Sequence, residues 1–318
     1  PRLIAHADWS TDRRRRWLTV AERREGGYEL CSPVPVREPA ELIPSLLRRA
    51  GGEGVLLGLD VVIGLPHAYG ERAGIDAFLP WLQQLGQGRW ARLVEPAAQP
   101  EEVCLERPFY PLRPGGARQL HLVEGLGVGS MAELLRVCER GEGQRRNACP
   151  LFWTLGANQV GRAALCAWQE VLLPALASLG PELGVWPFDG ALAALLGSRR
   201  CVVAEAYPAE ACVALGLGAP GRGWSKRLQA DRQRQGPRLL AWAETRGLHL
   251  AAMESELREG FGAAMGAEDR FDSLVGLLGM VAVVLGELPE GPPQEKPIEQ
   301  GVNLGVEGWI LGHPWEPA

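Results

Sequence analysis

With 318 residues, 46% of them hydrophobic and 22% charged, the chain has the size and balance of one large globular domain or two modest ones, which excludes a low-complexity or fibrous architecture. A net charge of −5 argues against a protein that coats nucleic acid, while leaving a local basic strip open. The 41 glycines and 25 prolines forecast many loops.

The first sixty residues read as β-β-β-α-β. Leu3–Asp8 is a strand, Arg16–Glu22 a second and Tyr28–Val34 a third, reached across Gly26-Gly27. Glu38 to Ala50 has helical spacing, with Leu42, Ile43, Leu46 and Leu47 on one face and Gly51-Gly52 as the stop. Val55–Ile63 is nearly all apolar, as a strand buried on both faces should be. Residues 64–150, rich in glycine and proline, are expected to form an insertion or lid with helices at Gly74–Leu85 and Met131–Arg140. Beyond it lie a helix over Gly161–Leu179, strands at Leu183–Phe188 and Cys201–Tyr207 around a short helix at Gly190–Leu196, and a helix from Pro208 to Leu215. A charged helix over Trp224–Gly247 and an apolar helix over Asp269–Gly286 follow. Residues 287–318 are expected as a surface segment, with a short strand at Val306–Leu311. The whole is an α/β chain without internal repeats.

The seven cysteines form no C-x-x-C pair, which suggests reduced thiols and a cytoplasmic setting. No run is expected to span a membrane: Leu274–Leu288 is interrupted by three glycines. No secretion signal is expected ahead of the first strand. The five histidines show no metal-ligand spacing. The string Gly125-Leu126-Gly127-Val128-Gly129-Ser130 lacks the lysine of a phosphate-binding loop.

Acidic residues at the ends of apolar elements carry the functional signal. Asp8 closes the first strand, Asp60 follows Val55–Leu59, and Glu205 follows Cys201–Ala204. Asp269 and Asp272 open the last long helix, three residues apart and able to face the same way. Carboxylates that converge repel one another, and Mg²⁺ or Mn²⁺ held by their oxygens is the usual remedy. Taken one at a time, each has a structural alternative: Asp8 and Asp60 as turn aspartates, Asp269 or Asp272 as helix caps, and Glu205 as the partner of an arginine such as Arg200 or Arg232. Lys226, after Ser225, begins a basic stretch with Arg227, Arg232, Arg234 and Arg238 that would either hold phosphates or face solvent. The Arg13–Arg16 run is open in the same way. Asn158-Gln159 would cap a helix or line the cleft.

The element order and acid placement resemble the ribonuclease H-like superfamily. More closely, the chain resembles the domain-of-unknown-function family 429, described as predicted RNase H-like nucleases. The likeness runs nearly end to end, through Ala7-Asp8-Trp9-Ser10, Gly58-Leu59-Asp60-Val61-Val62-Ile63-Gly64-Leu65-Pro66 and Gln159-Val160-Gly161. It continues through Trp186-Pro187-Phe188-Asp189-Gly190, Ala204-Glu205-Ala206-Tyr207-Pro208, Ser225-Lys226, Glu268-Asp269-Arg270-Phe271-Asp272-Ser273-Leu274 and Glu307-Gly308-Trp309-Ile310. It implies a single domain over 1–318, built on a mixed five-stranded sheet flanked by helices, with the insertion after the fourth strand. It further implies metal-dependent hydrolysis of a nucleic-acid phosphodiester. Asp8, Asp60, Glu205 and Asp272 would be catalytic, and these four and Asp269 would hold Mg²⁺ or Mn²⁺, with Glu205 an additional ligand or a positioner of Lys226. Lys226, Ser10 and Arg232 would contact substrate; Ser10 stands where many relatives keep glycine. The alternatives are a non-catalytic module binding a nucleotide or protein, and an actin-like or sugar-kinase-type phosphotransferase.

Overall fold

The computed structural model describes residues 1–111, 115–141, 146–155, 159–293 and 302–315. Asn158 lies outside them. The centre is one mixed sheet of eight strands. These are β1 (Leu3–Asp8), β2 (Trp17–Arg24), β3 (Gly27–Leu30), β4 (Val34–Pro35), β5 (Val55–Leu59), β6 (Leu183–Val185), β7 (Cys201–Glu205) and β8 (Leu248–His249). Their order is β6-β7-β5-β1-β2-β3-β8, with β4 also on β2. β1, β2 and β3 run antiparallel, whereas β5, β7 and β6 extend the sheet from β1 in parallel.

The sheet thus has eight strands where five were expected. The third expected strand breaks in two, because β3 pairs with the far half of β2 and β4 with its beginning. The expected strand Val55–Ile63 stops at Leu59, where the chain turns toward Gly64 at φ 142°.

Strand side chains alternate between two cores. One contains Leu3, Ala5, Ala7, Leu57, Leu59, Cys201 and Val203. The other contains Ile4, Leu56, Val202 and Ala204. The first face is covered by the helix Leu42–Ala50, the insertion, and a continuous helical run made of Val160–Ala167, a π-turn at Trp168–Leu172 and Leu173–Leu179. The insertion is more than a lid. Its Tyr69, Phe78, Trp81 and Phe109 are buried and continuous with the sheet core, with Phe78 edge-on to Trp168 at 5.4 Å. Each such ring contributes roughly 1.5–3 kcal/mol on burial.

Inside the insertion, the helix expected at Gly74–Leu85 is two shorter ones, His67–Ala73 and Phe78–Leu82, separated by Gly74 in the left-handed region. Met131–Arg140 forms two 3-10 turns, and the regular helix there is Gln119–Leu126. The run Val160–Glu182 is long and apolar enough to cross a membrane by length and composition, amending the expectation that none would be. Its Ala164, Leu165, Trp168, Val171 and Leu172 are buried in the first core.

The second face is covered by Pro208–Ala214, Gln229–Glu244 and Ala267–Val284. The last of these lies directly under β1 and β2, and close approach requires small residues. A Cβ on Gly276 would stand 2.2 Å from Cε1 of His6, and one on Gly58 would stand 2.3 Å from Sδ of Met280. The expected surface tail also returns inward: Val302, Leu304, Val306, Trp309 and Ile310 are buried. A helix at Leu304–Glu307 replaces the expected strand, followed by a single bridge from Ile310 to Glu205.

Candidate active site

β1 and β5 are parallel neighbours with Ala7 opposite Leu59, so Asp8 and Asp60 emerge side by side at their carboxyl ends. Asp60 donates its backbone N–H to the carbonyl of Ala7 at 3.0 Å. Alternation turns Asp8 and Asp60 toward the second face, where Ala267–Val284 brings Asp272 up from below. All three line a cleft of about 560 Å³ together with Ser10, Arg15, Glu205, Tyr207, Lys226 and Asp269.

Asp8 and Asp272 are about 95% buried. Burial, and then the fields of Asp272, Asp60 and Asp269, hold the Asp8 carboxyl well above the usual carboxylate range against the pull of Lys226. Burial also raises Asp60, Lys226 draws it back, and Asp272 adds to the rise, leaving it at about 7. Its carboxyl is within hydrogen-bonding reach of Asp8. Asp272 is raised by burial, with Lys226 opposing. One of its oxygens, Oδ2, accepts from Lys226 Nζ. The other, Oδ1, is buried without a hydrogen-bond partner. Burial works against the Lys226 charge, and Asp272, Asp60 and Asp8 more than restore it, so the ammonium is held above its ordinary range.

The remaining acids are matched to arginines. Arg15 clasps Asp269, with Nε donating to Oδ2 at 3.0 Å and Nη2 to Oδ1 at 2.6 Å. Glu205 follows the parity of Cys201 and Val203 and therefore turns to the opposite face from Asp8 and Asp60. There Arg136 donates from Nη1 to Oε2 at 2.8 Å and from Nη2 to Oε1 at 2.6 Å, and the N–H of Ile63 donates to Oε2 at 2.7 Å. The partner is Arg136 rather than Arg200 or Arg232. Arg136 also binds Glu139 and the carbonyls of Ile63 and Glu307, joining the insertion, the loop after β5, β7 and the C-terminal helix in one buried network.

Of the three residues expected at substrate, Lys226 reaches the centre and Ser10 lines the cleft. Arg232 does not line it. Only 2% exposed, it donates to the carbonyls of Lys226, Gly260 and Gly262 and so acts on backbone. The Arg13–Arg16 run is committed to Asp12, Glu170 and Asp269. Gly125–Ser130 ends the helix Gln119–Leu126 away from the cleft.

Arg136 is the residue the sequence reading missed. Its only local signal is Arg136-Val137-Cys138-Glu139, where the Glu139 carboxylate caps the N–H of Arg136. Among the described residues no group of three or more His, Cys, Asp or Glu stands ready-made as a metal cluster. The donor chemistry of Asp8, Asp60 and Asp272 nonetheless suits a hard cation, and the orphaned Oδ1 of Asp272 is a buried acceptor that such an ion would satisfy. No protein-family model, curated protein or solved structure matches the chain.

Proposed function

We propose that the chain is a divalent-metal-dependent phosphodiester hydrolase of RNase H-like architecture, acting on nucleic acid, with Asp8, Asp60 and Asp272 as its ion-binding acids. The observation that carries this reading is the unbalanced acidic centre: three carboxyls meet at one cleft, one lysine accompanies them, and a buried oxygen is left without a partner. The order β3-β2-β1-β5-β7, antiparallel and then parallel, supports the architecture together with the first-strand aspartate. Glu205 and Asp269 are left out of the ligand set, because both oxygens of each carboxylate are already held by an arginine, Arg136 and Arg15.

Mg²⁺ or Mn²⁺ would supply Lewis acidity toward a phosphoryl oxygen. The chain's own groups do the rest. Asp8 and Asp60 sit at the ends of rigid strands, so their separation is set by the sheet and not by loop motion. Burial and the neighbouring acids raise the Asp60 carboxyl, and a bound ion would oppose that rise and hold it ionised as a ligand. Arg136 and Arg15 fix the flanking acids Glu205 and Asp269.

The test is cleavage of single- and double-stranded DNA and RNA with added Mg²⁺ or Mn²⁺. Asp8→Asn is expected to lower the rate by about 10²–10³-fold, since the ion is worth several kcal/mol at the transition state, without lowering the unfolding midpoint. No metal-dependent cleavage of any of these substrates, or an undiminished Asp8→Asn, would overturn the reading.

A further inference from the structure

Resting on that reading of the cleft, we infer that the site takes a single divalent ion, with the Lys226 ammonium supplying the second positive centre that a two-ion site would draw from a second metal. The charge inventory leads there. Glu205 and Asp269 each have an arginine in two-point contact and offer nothing to an ion. Glu268, on the rim of the same cleft, faces Arg227 at 3.9 Å, which leaves Asp8, Asp60 and Asp272 accompanied by one lysine. With all three acids ionised that set carries two uncompensated negative charges, which one divalent ion closes and a second would overshoot.

The geometry divides Asp272 in the same way. Its Oδ2 is taken by Lys226 Nζ, while Oδ1 is buried and unpartnered, in a residue that lines the cleft with Asp8 and Asp60. One carboxylate thus serves the ammonium with one oxygen and leaves the other for the ion.

Lys226 is placed there by construction. Of 33 basic residues only Lys226 and Lys296 are lysines, so a compact ammonium stands at this point in a chain that uses arginine nearly everywhere else. The loop carrying it is pinned on both sides by buried residues of the helix Gln229–Glu244. Asp231 accepts the N–H of Ser225 at 2.6 Å, and Arg232 donates to the carbonyl of Lys226 itself. Arg232 ties the same point to Gly260 and Gly262, at 2.8 and 2.7 Å. Arg232 is therefore a positioning residue for Lys226.

Mn²⁺ binding to the full chain tests this by calorimetric stoichiometry and electron paramagnetic resonance, both independent of turnover. The wild type is expected to bind one ion per chain and to show the resolved hyperfine lines of an isolated Mn²⁺. Lys226→Met frees Oδ2 of Asp272 and cuts the excess charge that a second ion would leave from two to one, so the stoichiometry is expected to rise to two, with the broadened signal of a spin-coupled pair. Two coupled ions in the wild type would overturn the inference and leave the hydrolase reading standing. So would a Lys226→Met variant that folds, as judged by circular dichroism, and still takes only one ion. If that variant does not fold, the wild-type stoichiometry and line shape decide alone. No Mn²⁺ binding at all would remove the hydrolase reading along with the inference.

Discussion

Asp60 offers a test of the acidic centre that needs no substrate. In the cation-free protein its carboxyl titrates at about 7, against an ordinary value of 3.8. Below the ordinary value the group is neutral whether the chain is folded or not. Between the two values the folded chain keeps a proton that the unfolded chain has released, so stability falls as pH rises through that window; above it the full cost is carried. Such a displacement corresponds to ~4 kcal/mol if nothing relaxes. Asp60 keeps partial contact with solvent and shares its protons with Asp8 and Asp272, so a cost of roughly 1–2 kcal/mol is expected. Asp60→Asn removes the ionisation and keeps the shape. In urea denaturation with a chelator present, the variant is expected to gain little over the wild type near about pH 5 and roughly 1–2 kcal/mol near about pH 8. Added Mn²⁺ should then stabilise the wild type more than the variant, because only the wild type presents the full acid set. A wild type as stable as the variant at the higher pH, in chelator, would refute the claim that these carboxyls are forced together at a cost.

Other substitutions probe the supports of the site. Arg136→Met strands the buried carboxylates of Glu205 and Glu139 and should cost about 3–5 kcal/mol in urea unfolding; adding Glu205→Gln should recover part of that loss. Gly276→Ala drives a methyl to 2.2 Å from the His6 ring, one helical turn beyond Asp272. It should destabilise the fold by about 1–3 kcal/mol and weaken Mn²⁺ binding measured by calorimetry, because the helix that carries Asp272 must move.

Asp8, Asp60 and Asp272 were legible in the sequence because each is a charged residue at the end of an apolar run, where strand or helix ends are local facts. Glu205 was legible as an anomaly but not as a partner. Its parity with Cys201 and Val203 already sends it to the face opposite Asp8 and Asp60, and that alternation could have separated it from them. Its mate was hidden, since Arg136 lies 69 residues away in a segment of irregular turns. Arg232 was read as a phosphate contact because its helix is basic; its burial against three carbonyls is invisible to composition.

The sequence alone determined the α/β character, the first two strands, the helix that follows the hairpin strands and the positions of the acids, because strand alternation, helical spacing and glycine stops are written over a few residues at a time. Only the tertiary structure decided which acids stay uncompensated. That outcome depends on where Arg15, Arg136 and Lys226 arrive after folding, and ion pairing over such separations is fixed by packing of whole elements rather than by any local pattern.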